Sequence, residues 1–213
     1  MIRGSEVTFA IMDLLLQPLW YFSLAFGISL LGSLPFGMIN LNVLATAVHR
    51  GPRPALWMGL GATLVEGLQI LLVLFGFQWL ADNTTLDTIL QWIAIPVFLG
   101  LAFHYFTAKP ARQEAEVIQR HPFLRGVGLS LINVLVYPFW FLWLGLMDFP
   151  VDDRSLWGWM IAGAVLGAFA VMALFVLLGR VIEKHAEAIT RSLNQIIATV
   201  FIGLGVIQLL RLM

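Results

Sequence analysis

Cysteine is absent from the 213 residues, which excludes disulfides, thiolate metal sites and thiol redox chemistry. Charge is scarce too. Asp, Glu, Lys and Arg make up 11% of the chain, under half the roughly 25% of a soluble domain. Lys109 and Lys184 are the only lysines, and no G-x-x-x-x-G-K-[ST] occurs, so the chain carries no phosphate loop of its own to couple ATP hydrolysis. The four histidines, His49, His104, His121 and His185, form no metal-spaced cluster. No metal, cofactor or nucleic-acid partner is expected. No His/Asp/Ser constellation sits together in sequence, so an enzyme is not expected either.

What is abundant is apolar surface: 60% of residues are hydrophobic and the mean hydropathy is +0.91. Most of the surface must face lipid. A bilayer core takes about 20 apolar residues per helix, and six stretches qualify: roughly 18–48, 54–80, 86–107, 123–147, 156–179 and 189–210. The breaks between them are His49 to Arg53, Ala81 to Asn83, Lys109 to His121, Asp148 to Arg154, and Arg180 to Glu187. The third is the longest and most polar, and divides the chain into residues 1–107, a linker 108–122, and residues 123–213. A cleaved signal peptide is not expected, because Glu6 and Asp13 interrupt the first run and it outlasts an apolar core of about 7–15 residues. The sequon Asn83-Thr84-Thr85 reads as turn residues.

Basic residues set orientation. Arg50, Arg53, Lys109, Arg112, Arg120, Arg125, Arg180, Lys184 and Arg191, nine of the twelve, fall in or beside the odd loops. The even loops carry Asp82, Asp87, Asp148, Asp152 and Asp153. This alternation predicts cytoplasmic odd loops and both termini outside. Three spans per half is an odd number, so repeated halves would be inverted, an arrangement that supports alternating access around a central site. Two alignments favour a repeat: Ser33-Leu34-Pro35 against Ile132-Asn133, and Leu60-Gly61-Ala62 against Ala162-Gly163-Ala164. Chance recurrence of small residues is the other reading.

The first stretch is longer than a crossing needs. Its residues would reach about 46 Å as a helix, against a core of about 30 Å. Pro35 lacks an N–H and clashes with the preceding turn, and Gly37 leaves the backbone open. A kink or unwound turn is predicted near 34–38. A related break recurs in Ser130 to Trp140, with Asn133, Tyr137 and Pro138. Paired breaks in two halves point to a midplane binding site; a proline kink used only for packing is the alternative. Asn40 and Asn133 are candidates for binding substrate beside the opened backbone, whereas Asn42 fits helix packing. Tyr137, Trp140 and Trp143 are candidates to line a cavity, and Trp20, Trp57, Trp79 and Trp157 read as interface anchors.

Glu66 is the one acid deep in a span, 13 residues after Arg53 and 16 before Asp82. A charge there costs about 2.5–3.5 kcal/mol on insertion scales. Ionised, such a carboxyl binds an ammonium; neutral, it carries a proton. A neutral glutamate bonded to a neighbouring helix is the plainer alternative. Ala168 occupies the repeat-related position, so the acid is not part of a shared scaffold. The small-residue runs Gly59 to Ala62 and Gly163 to Ala168 suit close helix approach, within the chain or in a homodimer.

These residues resemble the lysine exporter (LysE-type) superfamily of bacterial amino-acid efflux carriers. The likeness rests on Leu34 to Asn40, then Arg50-Gly51-Pro52-Arg53, then Gly59 to Glu66. Gly128 to Asn133 leading into Tyr137-Pro138-Phe139-Trp140 adds to it, as does the last span with Gly203 and Gly205. It covers essentially the whole chain. The family's first break resembles Pro-Gly-Pro, where this chain has Phe36 and no second proline; its Asn-Pro element is here parted by Val134, with the proline displaced to Pro138. The resemblance implies an all-α integral membrane protein of the bacterial cytoplasmic membrane. Its six transmembrane helices would form two inverted three-helix repeats, with the first and fourth helices broken. It further implies secondary export of amino acids or small amines. Glu66 would couple, and Pro35, Gly37, Asn40, Asn133, Tyr137, Pro138 and Trp140 would form the substrate site. A divalent-cation exporter of the same superfamily and a non-transporting membrane scaffold remain as alternatives.

Overall fold

The computed structural model describes the backbone of residues 4–34, 37–81, 84–107, 121–147 and 149–212. Apolar side chains dominate, and a helix satisfies its own backbone polar groups where no water can. All regular structure among the described residues is accordingly helical: α1 (Gly4–Ser33), α2 (Met38–Arg50), α3 (Pro52–Ala81), α4 (Thr84–Thr107), α5 (Pro122–Leu131), α6 (Val136–Leu146), α7 (Trp157–Leu177) and α8 (Gly179–Leu212).

Among the described residues two helices are long and apolar enough to cross a membrane, over Pro52–Trp79 of α3 and Trp157–Leu177 of α7. Two bent pairs qualify when their halves are taken together. Leu16–Ser33 and Met38–Arg50 meet at 77°, and Pro122–Leu131 and Val136–Leu146 at 67°. The six expected stretches thus contain two to four candidate spans by length and composition. The third and sixth stretches belong to α4 and α8, whose described apolar parts, Ile95–Thr107 and Ala198–Leu210, are shorter. The polar segment Arg180 to Glu187, expected as a loop, is instead helical and opens α8. Its glutamates, lysine, arginine and alanine are good helix formers, so polarity here does not interrupt the helix.

Both expected breaks interrupt helices. α1 stops at Ser33, Leu34 donates to the Leu31 carbonyl at 3.3 Å, and α2 starts after Gly37. Pro35 and Phe36 lie outside the described residues. The second break is narrower than expected. It spans residues 132–135, with Asn133 N–H bonded to Ser130 O at 3.0 Å, and Tyr137 and Pro138 fall inside the first turn of α6. An N–H in that turn has no intrahelical partner anyway, so proline sits there without loss.

Close crossings at glycine hold the bundle together. α1 packs on α7, α5 on α3, α4 on α8, and α3 on α7. A Cβ on Gly163 or Gly167 of α7 would collide with the Phe22 or Phe26 carbonyl of α1. One on Gly61 of α3 would collide with the Phe123 carbonyl of α5, and one on Gly126 with the Met58 carbonyl. Gly61 and Gly163 are 102 positions apart, and their partners Phe123 and Phe22 are 101 apart.

Two apolar clusters divide α3 along its length. One gathers Val43, Ala55, Met58, Ala62, Met172 and Val176 from α2, α3 and α7. The other gathers Ile28, Ile70, Leu74, Trp140, Leu144 and Met160 from α1, α3, α6 and α7, together with Phe149, Val151 and Leu156 of the α6–α7 loop. That loop folds inward: Phe149 stacks edge-on against Tyr21 at 4.9 Å. Trp157 is drawn in with it. Expected as an interface anchor, it is 5% exposed, with its indole N–H bonded to Val151 O at 2.9 Å. Trp20, Trp57 and Trp79 do face outward. Between α2 and α3, Gly51 adopts φ +92° and its N–H bonds Ala47 O at 3.1 Å, a conformation open only to glycine.

Candidate functional site

Glu66 lies on α3 between those two clusters, four residues beyond Ala62 and four before Ile70. Its polar neighbours come from two other elements. Ser29 Oγ of α1 and Trp140 Nε1 of α6 each approach Glu66 Oε1 at 3.5 Å, the outer limit of hydrogen bonding. Both donors address the same oxygen; Oε2 accepts nothing from the described residues. A carboxylate offers about four lone-pair sites, so most of its capacity is open. Ser29 is 1% exposed and Trp140 fully buried, whereas Glu66 itself is partly exposed.

One turn further along α3, Gln69 spans the second break. Its Nε2 donates to Ser130 O at 3.1 Å and to Asn133 O at 3.4 Å. The last carbonyls of a helix lack intrahelical donors, and in an apolar surrounding an unpaired one is costly. Gln69 is the residue that makes the end of α5 tolerable. Its own Oε1 is buried without a partner among the described residues, as is Trp143 Nε1.

The first break is solved the same way. Asn40, buried at the start of α2, donates its Nδ2 to Ser33 O at 2.5 Å, capping the end of α1. Gly37 precedes α2 in an extended conformation, and a Cβ there would meet open space. The helices beside the two breaks also touch, since a Cβ on Gly32 at the end of α1 would lie 2.5 Å from the ring of Phe139 in α6.

Of the residues singled out from the sequence, Glu66 and Trp140 meet directly. Asn133 joins through its backbone and Gln69; its side-chain amide bonds no described residue. Asn40 caps a helix rather than meeting Glu66. Pro138 is half-buried and Tyr137 is 36% exposed in α6. Pro35 lies outside the described residues. Asn42 packs: its Oδ1 accepts from Arg125 Nε at 2.9 Å and Nη2 at 2.5 Å, tying α2 to α5.

Three contributors escaped the sequence reading: Ser29, Ser130 and Gln69. Gln69 carried a usable signal, a lone amide at i+3 from Glu66 in an otherwise apolar run and hence on the same helix face. The serines carried little, being common in membrane helices.

A protein-family model described as LysE type translocator matches residues 30–211, which takes in both breaks, Glu66 and Gln69. No curated protein and no solved structure matches the chain significantly.

Proposed function

The chain belongs to the LysE type translocator family and is a multi-pass membrane protein, and we propose that it is a secondary active exporter of amino acids or related small amines, driven by protons or the membrane potential. The observation that carries this reading is the carboxyl of Glu66, met on one oxygen only, by α1 and α6 of the broken helix pairs, and set between two apolar clusters. An ammonium is a pure donor, and Glu66 Oε2 is an acceptor that receives no hydrogen bond from the described residues. The same oxygen takes either a proton or the ammonium, so the two compete, as exchange requires. The start of α2, with open space around Gly37, offers backbone N–H groups to a substrate carboxylate. Asn133, Tyr137, Pro138 and Trp140 form the facing wall in this proposal, and Pro35 and Asn40 hold the first break.

The proposal includes two inverted three-helix repeats, residues 1–107 and 123–213, joined by 108–122. Support comes from the two bent pairs and from the glycine-on-carbonyl contact that recurs at an offset of 101–102 residues. It also includes a bacterial cytoplasmic membrane, odd loops cytoplasmic and both termini outside, supported by the distribution of Arg and Lys. Gly61, Gly163 and Gly167 face helices of the same chain, so the proposal needs no second copy.

The deciding experiment is counterflow of labelled amino acids in proteoliposomes, with wild type and Glu66→Gln side by side. The expected outcome is saturable exchange of one substrate class, with proton-driven accumulation lost in the variant and exchange retained. Absence of exchange across the panel by folded protein would overturn the amino-acid reading and bring divalent cations and scaffolding forward.

A further inference from the structure

At the N-terminal end of α3, far along that helix from the α6–α7 loop, the α2–α3 turn and the start of α5 enclose an open cleft of about 510 Å³. That volume is in the range of ligand clefts, about 300–1,000 Å³. Its polar lining is cationic or titratable: Arg50 ends α2, Arg53 stands in the first turn of α3, and His121 precedes α5. Among the described residues no carboxylate lines it. The side chains of Arg53 and His121 bond no described residue, while Arg125, the next cation along α5, is committed to Asn42. Residues of the first turns of α3 and α5, Arg53, Pro54, Pro122 and Phe123, line the same space, and the positive end of a helix dipole favours an anion nearby.

The rim is apolar and faces outward. Trp57 is 51% and Leu124 61% exposed, and Phe123 braces Trp57 edge-on at 6.3 Å. A water-soluble anion would use the arginines and leave this rim idle. A lipid uses both: guanidinium groups pair with phosphate oxygens, and tryptophan lies at the level where headgroup meets acyl chain. We propose that this cleft binds the phosphate of an anionic phospholipid, with Arg50, Arg53 and His121 around the phosphate and Trp57 and Leu124 against the acyl chains. The site is separate from Glu66 and does not depend on what the protein exports.

The test is native mass spectrometry of the full chain in neutral detergent, titrated with phosphatidylglycerol or phosphatidylcholine. Wild type, Arg53→Gln and Arg53→Lys are compared, each checked for helical content. The expected result is saturable binding of phosphatidylglycerol over phosphatidylcholine, weakened about fivefold in Arg53→Gln, the contribution of one basic residue near an anionic surface, and largely restored in Arg53→Lys. Excess inorganic phosphate leaves the bound lipid in place. Equal binding of the two lipids, or phosphatidylglycerol binding unchanged in Arg53→Gln, overturns the site. Displacement of the lipid by millimolar phosphate overturns the lipid as its ligand in favour of a free anion.

Discussion

Gln69 and Ser29 touch the same small region and are expected to matter for different reasons. Gln69 holds two carbonyls that no helix satisfies. Gln69→Leu removes the side-chain donor from the Asn133 carbonyl and leaves Ser130 O with only the Asn133 N–H, at about 1–3 kcal/mol for a buried group left unpaired, and should lower the thermal unfolding midpoint of the detergent-solubilised protein. Ser29 reaches Glu66 only at 3.5 Å, and side-chain bonds between membrane helices average about 0.6 kcal/mol. Ser29→Ala should barely move that midpoint; a loss equal to that of Gln69→Leu would show that the serine, not the amide, holds the region. Glu66 was legible as the lone acid in an apolar span. The role of Gln69 was not, because it depends on the end of α5 lying against α3, and nothing in the sequence of either helix states that contact.

At the scale of the element, glycines differ by what stands opposite them. Gly126 and Gly128 are both in α5, yet a Cβ on Gly126 would run into the Met58 backbone, whereas one on Gly128 meets nothing within 4 Å. Gly126→Ala should destabilise by about 1–3 kcal/mol, the usual range for overpacking, and Gly128→Ala should be neutral or slightly stabilising. Thermal unfolding of the pair tests this, and equal effects would remove the α3–α5 crossing. Gly51→Ala should likewise cost about 1–3 kcal/mol, for backbone strain rather than contact. Proline, glycine and asparagine in the apolar runs marked both breaks correctly. The edges of the second were not readable, because Pro138 serves as a helix starter and not a breaker. The inward fold of the α6–α7 loop, which buries Trp157, is a tertiary event that hydropathy does not report.

Over the whole molecule, the missing cysteine becomes a tool. Any introduced thiol is the only one, so labelling by a membrane-impermeant maleimide reads orientation directly. Asp152→Cys should label in intact cells, and His49→Cys only after permeabilisation; the reverse pattern would invert the proposed topology. Charge asymmetry is the sequence signal behind this proposed orientation, whereas the pairing of α1 with α7 and of α5 with α3 emerged only in three dimensions.

The position of Glu66 between two apolar clusters also bears on what the protein does when idle. A carboxyl at mid-depth is a stepping stone for protons, and a membrane that stores energy as a proton gradient tolerates no continuous file of such stones. Here apolar side chains flank Glu66 along α3, Met58 and Met172 towards one end and Ile70, Leu144 and Trp140 towards the other, and the amide of Gln69, one turn away, is held by Ser130 O and Asn133 O. In this conformation the chain is expected not to pass protons. Liposomes carrying it without substrate should hold an imposed pH difference as long as empty ones do, so the cell can keep the exporter in its membrane without a standing leak.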